Sequence, residues 1–454
     1  MSFALRAGVG RVELAPSPGL PMMGYGAREG VAQPGGEPLS ARALYLEAGD
    51  REGVLLVFFD LCLLAPVQCD RVRAALAQAV GVHPARILVA CIHTHSGPET
   101  GFGALLVGRP EPDFVAPLLD AGVRAGRQAF ASRAPARLGF GLAKARVGRN
   151  RRRADGPLDE QVRILRVDAP DGAPRAVLFV HGCHPTALGH DNLRYSPDWP
   201  GAARRRIEAA LPGATALFAL GAHADVDPRT RGLLDLAISG QSRGVGFEAM
   251  EALGRQVGQA AAQAALGIRS APVQEPALVE ADSVGVPLAA HRPDEAARQA
   301  AFQALGLPPD AEVGTADLFR LEQARTEALP HDARRQARAR VRRYLRDRTA
   351  HRFAFGERAW VEAQVLRVGP LRLLALPLEP TVAVGRDWAE RAGGPHAAVL
   401  GLANGWMRYL PHVHEFEAPD AACAYEVLQS TFQPDAAVRL LEAGELLLKR
   451  LEAR

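Results

Sequence analysis

The chain has 454 residues, 48% of them hydrophobic and 23% charged, and its 54 basic and 50 acidic side chains leave a formal charge of +4. This composition excludes a disordered or collagen-like chain, and so small a charge on so long a chain gives no electrostatic reason to expect a nucleic-acid partner. The apolar runs, such as Gly53–Phe59 and Leu371–Leu376, fall well short of the roughly 20 residues of a membrane-spanning helix. The start, Met1-Ser2-Phe3-Ala4-Leu5-Arg6, has no basic and apolar regions of a signal peptide, so a cytoplasmic protein is expected. The cysteines, Cys62, Cys69, Cys91, Cys183 and Cys423, are odd in number and form no CxxC pair; they are expected to be reduced.

In chain order, short runs rich in Val, Leu, Ile and Phe predict strands at Ala41–Glu47, Gly53–Asp60, Arg86–His93, Arg137–Val147, Gln161–Val167, Ala176–His181 and Ala214–Leu220. Between them, apolar residues three and four apart predict helices at Gln68–Val80, Asp113–Ala131, Gly201–Leu211 and Gly246–Leu266. The alternation predicts an α/β fold. Pro293–Thr349 breaks this texture: it is rich in Ala, Arg, Glu and Gln and has no strand signal. It is expected to be a helical insertion, residues 293–349, within a single catalytic domain spanning 1–454. Its arginines, concentrated at Arg334–Arg348, are expected to form a solvated helix face beside acids such as Glu322 and Glu327. Strands return at Ala359–Val368, Leu371–Pro377 and Ala397–Leu402, with helices at Thr381–Ala392 and Asp435–Leu451. No internal repeat is visible.

Three polar clusters follow strands directly. The first is His93-Thr94-His95-Ser96-Gly97-Pro98, after Ile87-Leu88-Val89-Ala90. Residues two apart on a strand share a face, and open α/β sheets place ligands at strand ends, so His93 and His95 form a candidate metal pair. A lone HxH is more often a hydrogen-bonded core feature. A metallo-β-lactamase would continue with Asp-His, where Gly97-Pro98 stand; an amidohydrolase barrel remains open at this point. The second cluster, His181-Gly182-Cys183-His184-Pro185-Thr186, and the third, Leu220-Gly221-Ala222-His223-Ala224-Asp225-Val226-Asp227-Pro228, also leave apolar strands. Each alone is structural about as often as functional; three together are not chance packing.

In order along the chain, several segments resemble the neutral, non-lysosomal ceramidases. They are Met22-Met23-Gly24-Tyr25, the HTHSGP run at His93, Asn150-Arg151 with Leu158-Asp159-Glu160-Gln161-Val162, and His184-Pro185-Thr186 with Asn192 and Ser196-Pro197-Asp198-Trp199-Pro200-Gly201. Leu378-Glu379-Pro380-Thr381 and Gly401-Leu402-Ala403-Asn404 with Tyr409 complete the set. The resemblance covers about residues 8–430 and is specific only as a series. It implies a mixed-sheet catalytic domain with one Zn2+ per chain held by His93, His184, Glu379 and Tyr409. It implies catalytic roles for His95, Arg151 and, at a spacing longer than the family's, Tyr425. No counterpart of the family's C-terminal immunoglobulin-like domain is expected.

One departure falls on the reaction itself. Where the family has a serine nucleophile in Gly-Asp-Val-Ser-Pro, this sequence has Ala224-Asp225-Val226-Asp227-Pro228. A carboxylate would form a mixed anhydride if it attacked an amide; it is suited to accept a proton from water or to hold a turn. The sequence is therefore read as a zinc amidase of lipid metabolism that acts through activated water on a small-molecule or lipid-like N-acyl substrate, with Asp227 as candidate base. The alternatives are a zinc esterase, another metal hydrolase such as a phosphoesterase or amidohydrolase, and a zinc-binding relative without activity.

Overall fold

A computed structural model describes residues 5–231, 244–272, 279–354 and 356–453. One arrangement occurs three times: three strands in antiparallel succession, a helix, then a fourth strand parallel to the third. In the first sheet these are Leu5–Glu13, Ser40–Ala48 and Val54–Phe59, helix Pro66–Val80 and strand Ile87–Cys91. The second has Arg137–Lys144, Gln161–Asp168 and Pro174–His181, helix Asp198–Ala210 and Thr215–Leu220. The third has Val279–Ala289, Arg358–Val368 and Leu371–Ala375, helix Val382–Arg391 and Ala397–Leu400. A parallel pair cannot be joined by a tight turn, so each unit needs its crossover helix. The repeat lies in topology and leaves no trace in the residue sequence.

Side chains alternate between the faces of each strand. Leu44, Leu56 and Phe58 of the first sheet meet Leu178 and Leu217 of the second and Leu366, Leu373 and Leu400 of the third in one shared core. The opposite faces are covered by helices. Val57 and Phe59 belong to the core formed with helix Val115–Ala131, and the C-terminal helix Ala436–Glu452 lays Leu440, Leu441 and Leu447 on the third sheet. This is the expected α/β fold with mixed sheets. Each sheet runs from edge to edge without closing, which excludes the amidohydrolase barrel.

Helices Glu295–Ala304, Thr315–Thr326 and His331–Phe353 stand between the paired strands Val279–Ala289 and Arg358–Val368. They bury Phe302, Leu318, Val341 and Leu345 in a small core of their own. The expectation of a solvated arginine face needs correction. Arg338 is 1% exposed; its Nη2 pairs with Glu327 at 2.8 Å and its Nε donates to the Thr326 hydroxyl at 2.8 Å. Arg342 Nε pairs with buried Glu322 at 2.7 Å. The acidic partners are those the sequence suggests, but the pairing draws Arg338 and Arg342 inward, while Arg335, Arg340 and Arg343 keep the exposed positions expected. Among the described residues no helix is long and apolar enough to cross a membrane, and all five cysteines are free thiols.

Candidate metal and catalytic site

The ends of the parallel strand pairs converge. His93 lies just past Ile87–Cys91, His184 just past Pro174–His181 and His223 just past Thr215–Leu220. Glu379 follows Leu371–Ala375 and opens a short strand that pairs in parallel with Tyr409–Leu410. His93 reaches the site through a left-handed backbone, φ 69°, a conformation that costs a non-glycine residue about 1–3 kcal/mol and is concentrated at functional positions.

One ligand atom from each of His93, His184, His223 and Glu379 lies within 4.8 Å of the others, and all four residues are buried. Glu379 Oε2 is 3.4 Å from His93 Nε2, 3.3 Å from His184 Nε2 and 3.5 Å from His223 Nε2. Every imidazole is oriented from behind. His93 Nδ1 donates to the Cys62 carbonyl, His184 Nδ1 to that of His223 and His223 Nδ1 to that of Gly221, each at 2.8 Å. These carbonyls assign the ring protons to Nδ1 and turn the Nε2 lone pairs inward, the usual support of metal-bound histidines. Trp406 Nε1 donates to Glu379 Oε1 at 2.7 Å. Meanwhile His184 Nε2, His223 Nε2 and Glu379 Oε2 complete no hydrogen bond among the described residues. Buried polar atoms left this way are rare. A tetrahedron of zinc–ligand bonds near 2.1 Å has edges of about 3.4 Å; the three distances from Glu379 Oε2 match such edges, and the donor set has the chemistry zinc takes.

The electrostatics agree. Burial pushes the His184 imidazole down to about 3, with Arg151 adding to the effect. Burial likewise lowers His223. At His93 burial is outweighed by the Glu379 carboxylate, and the group is raised. Burial would raise Glu379, but His93 and the other two imidazoles hold it well below the usual carboxylate range.

The remaining expected residues surround this centre. His95 Nε2 is 3.2 Å from His93 Nε2; burial, then His93 and His184, lower its basicity and keep it neutral. Gly24 is required beside it, since a Cβ there would lie 2.4 Å from the His95 ring. Arg151 Nε pairs with Glu426 at 2.7 Å and its Nη1 lies 3.5 Å from Asp227. The guanidinium also sits 5.6 Å from the Tyr409 ring and 5.2 Å from the Tyr425 ring. Its Nη2 is buried and completes no hydrogen bond among the described residues. Asp227 lies in the strand Val226–Pro228, paired with Gly148–Asn150, rather than in a turn. Burial would raise its carboxyl, but Arg231, 3.4 Å away, and then Arg151 bring it down to about 2.

In structural comparison the chain matches a ceramidase complexed with C2, with a TM-score of 0.70 at 20% identity. The match covers 100% of this chain and 76% of that one. It also matches neutral ceramidase from Pseudomonas aeruginosa, with a TM-score of 0.68 at 21% identity, over 100% of this chain and 75% of the other. The fold is that of neutral ceramidase. No protein-family model and no curated protein matches the sequence.

Within this ceramidase-like fold, His93, His184 and Glu379 come together as the resemblance implies. Tyr409 stands on the strand beside Glu379, and Arg151, Asp227 and Tyr425 group around it. Sequence reasoning missed Glu426 and Arg231, and it placed His223 in a candidate cluster without giving it a ligand role. For His223 a signal exists, because it leaves its strand as His184 leaves the neighbouring one. Arg231 stands four residues after Asp227, while only the fold brings Glu426 to Arg151.

Proposed function

We propose that this protein is a zinc-dependent hydrolase of amide bonds in N-acyl, ceramide-like substrates. The chain would form one catalytic domain, with residues 293–349 as an insertion. One observation carries the reading: Nε2 atoms of three buried imidazoles and a carboxylate oxygen meet in one cluster, and His184 Nε2, His223 Nε2 and Glu379 Oε2 complete no hydrogen bond among the described residues. Nitrogen and oxygen donors in this number suit zinc. When bound, zinc polarises an amide carbonyl and lowers the pKa of a water to roughly 7.

The chain's residues then divide the work. His93, His184, His223 and Glu379 hold the metal. Tyr409 is expected as a ligand by resemblance; with His223 present, we assign its hydroxyl to Arg151, so that water or substrate would enter as a fifth ligand. Arg151, fixed by Glu426, turns its uncommitted Nη2 to the carbonyl oxygen as charge develops there, with Tyr425 packed against the guanidinium. His95, neutral and beside the ligand cluster, accepts the proton of the attacking water and returns it to the leaving amine. Asp227 is already committed to two guanidinium groups, 3.5 Å from Arg151 and 3.4 Å from Arg231. It anchors Arg151 and Arg231 instead.

The test joins elemental analysis to a panel of N-acyl, O-acyl and phosphoester reporters. One zinc per chain and N-acyl turnover abolished by chelation are expected. Turnover of phosphoesters alone, or bound zinc with no acyl turnover, would overturn the reading.

A further inference from the structure

A second cavity, of about 910 Å³, opens between the arginine-rich helix His331–Phe353 and the segment Phe416–Leu428. Its two walls differ in kind. Arg340, Arg343 and Arg346, spaced three apart, present one face of the helix to it, and Arg292 adds a fourth guanidinium. Only two carboxylates line it, Asp294 and Asp347. Arg346 is committed to Asp347 at 2.6 Å, and Arg343 lies 3.7 Å from Asp294. Arg340 has no hydrogen bond or ion pair among the described residues. The potential is felt by His291 in the cavity wall, whose imidazole is brought down to about 3 by burial and then by Arg346, Arg408 and Arg343. The opposite wall is apolar, formed by Phe416, Val427 and Leu428 with several alanines between.

A free inorganic anion would leave the apolar wall exposed, and a neutral lipid would leave Arg340 without a partner. The volume suits an organic ligand, since such sites typically enclose about 300–1,000 Å³. We infer that this cavity binds a carboxylate carried on an apolar chain, the acid group on Arg340 and Arg343 and the chain along Phe416, Val427 and Leu428. The acid released from an N-acyl substrate has this form; that identification alone rests on the hydrolase reading. The cavity is separate from the metal cluster but not remote. Val427 and Leu428 share the short helix Tyr425–Leu428 with Glu426, the residue that grips Arg151.

Calorimetric titration of the purified, metal-loaded protein tests the inference, with decanoate, decanol and inorganic phosphate as probes. Decanoate should bind at one site, about tenfold or more tightly than either of the others, the scale of one charge-assisted contact. The double variant Arg340→Gln/Arg343→Gln should lose about tenfold in decanoate affinity and keep its amide hydrolysis. If that protein misfolds by circular dichroism, Arg340→Gln alone, which breaks no internal pair, should still lose several-fold in affinity. Decanoate affinity unchanged by these variants overturns the site. Equal affinity for decanol overturns the role of charge, and equal affinity for phosphate that of the apolar wall; either rejects the inference. Arginine-dependent decanoate binding in a protein without amidase activity would uphold the cavity and reject only the enzymatic reading.

Discussion

The strand exits and the arginine-rich helix are both dense in ionisable groups, yet they differ in what those groups lack. In the helix most charges are answered locally: Arg334 and Arg338 by Glu327, Arg342 by Glu322 and Arg346 by Asp347. At the strand exits fewer groups are present, all buried, and three of their atoms face one another with nothing between. Charge density alone therefore identifies nothing. A set of buried acceptors with no donor does, because folding would not retain it without a cation to offset the desolvation.

That contrast can be broken most directly at the metal. His223→Ala should lower zinc affinity by about 10²-fold or more, comparable to His184→Ala, by analogy with losses of 10–100-fold for supporting groups alone. Elemental analysis after dialysis against a weak chelator measures it. Full zinc retention in His223→Ala, with loss in Tyr409→Phe, would restore the ligand set implied by resemblance.

Next in size is Arg151→Gln. It should keep the metal and lose about 10²–10³ in kcat on an N-acyl reporter, the usual worth of one oxyanion donor. Zinc lost along with rate would move Arg151 from catalysis to site assembly.

Metal loading should also depend on pH, with a definite sign. The Glu379 carboxylate raises His93, and metal binding requires its imidazole neutral, so the ion competes with a proton there. Affinity should therefore fall as pH decreases, with the number of protons released per zinc rising as it does. Calorimetry in buffers of different ionisation enthalpy reads this number; no proton release would show His93 to be neutral beforehand.

The smallest effect belongs to the helix. Arg342→Gln should leave neutral-substrate turnover within about twofold while costing about 3 kcal/mol in stability, because buried Glu322 loses its partner. A larger loss of turnover than of stability would bring this helix into the active site and erase the distinction.

Much of the fold was legible because its strands are apolar and bounded by turn residues. Strands 41–47, 53–60 and 161–167 match the observed ones to within a residue or two. Two strands were missed for reasons of packing. Leu5–Glu13 carries Gly8 and Gly10, which read as a break; both are needed because helix Val115–Ala131 lies directly on them, and a Cβ would come within 2.1 Å of the Ala129 carbonyl at Gly8 and 2.0 Å of that of Ala125 at Gly10. Val279–Ala289 contains Asp282, Gly285 and Pro287, tolerable because it is an edge strand. In the site, histidines at strand exits were legible from local pattern. The partner of Arg151, Glu426, was not, since it lies in a distant segment that nothing in the local pattern joins to it; Arg231 is only four residues past Asp227 and was overlooked.

The threefold topology also sets an order on how the protein can be made. His93 belongs to the first unit, His184 and His223 to the second, and Glu379 to the third. During synthesis the imidazoles leave the ribosome well before the carboxylate that closes their cluster. A nascent chain holding only two units has all three imidazoles but lacks the carboxylate that completes the cluster. On the metal-binding reading proposed above, the full ligand set exists only once the last unit has docked, which makes that unit as necessary to the centre as the histidines themselves.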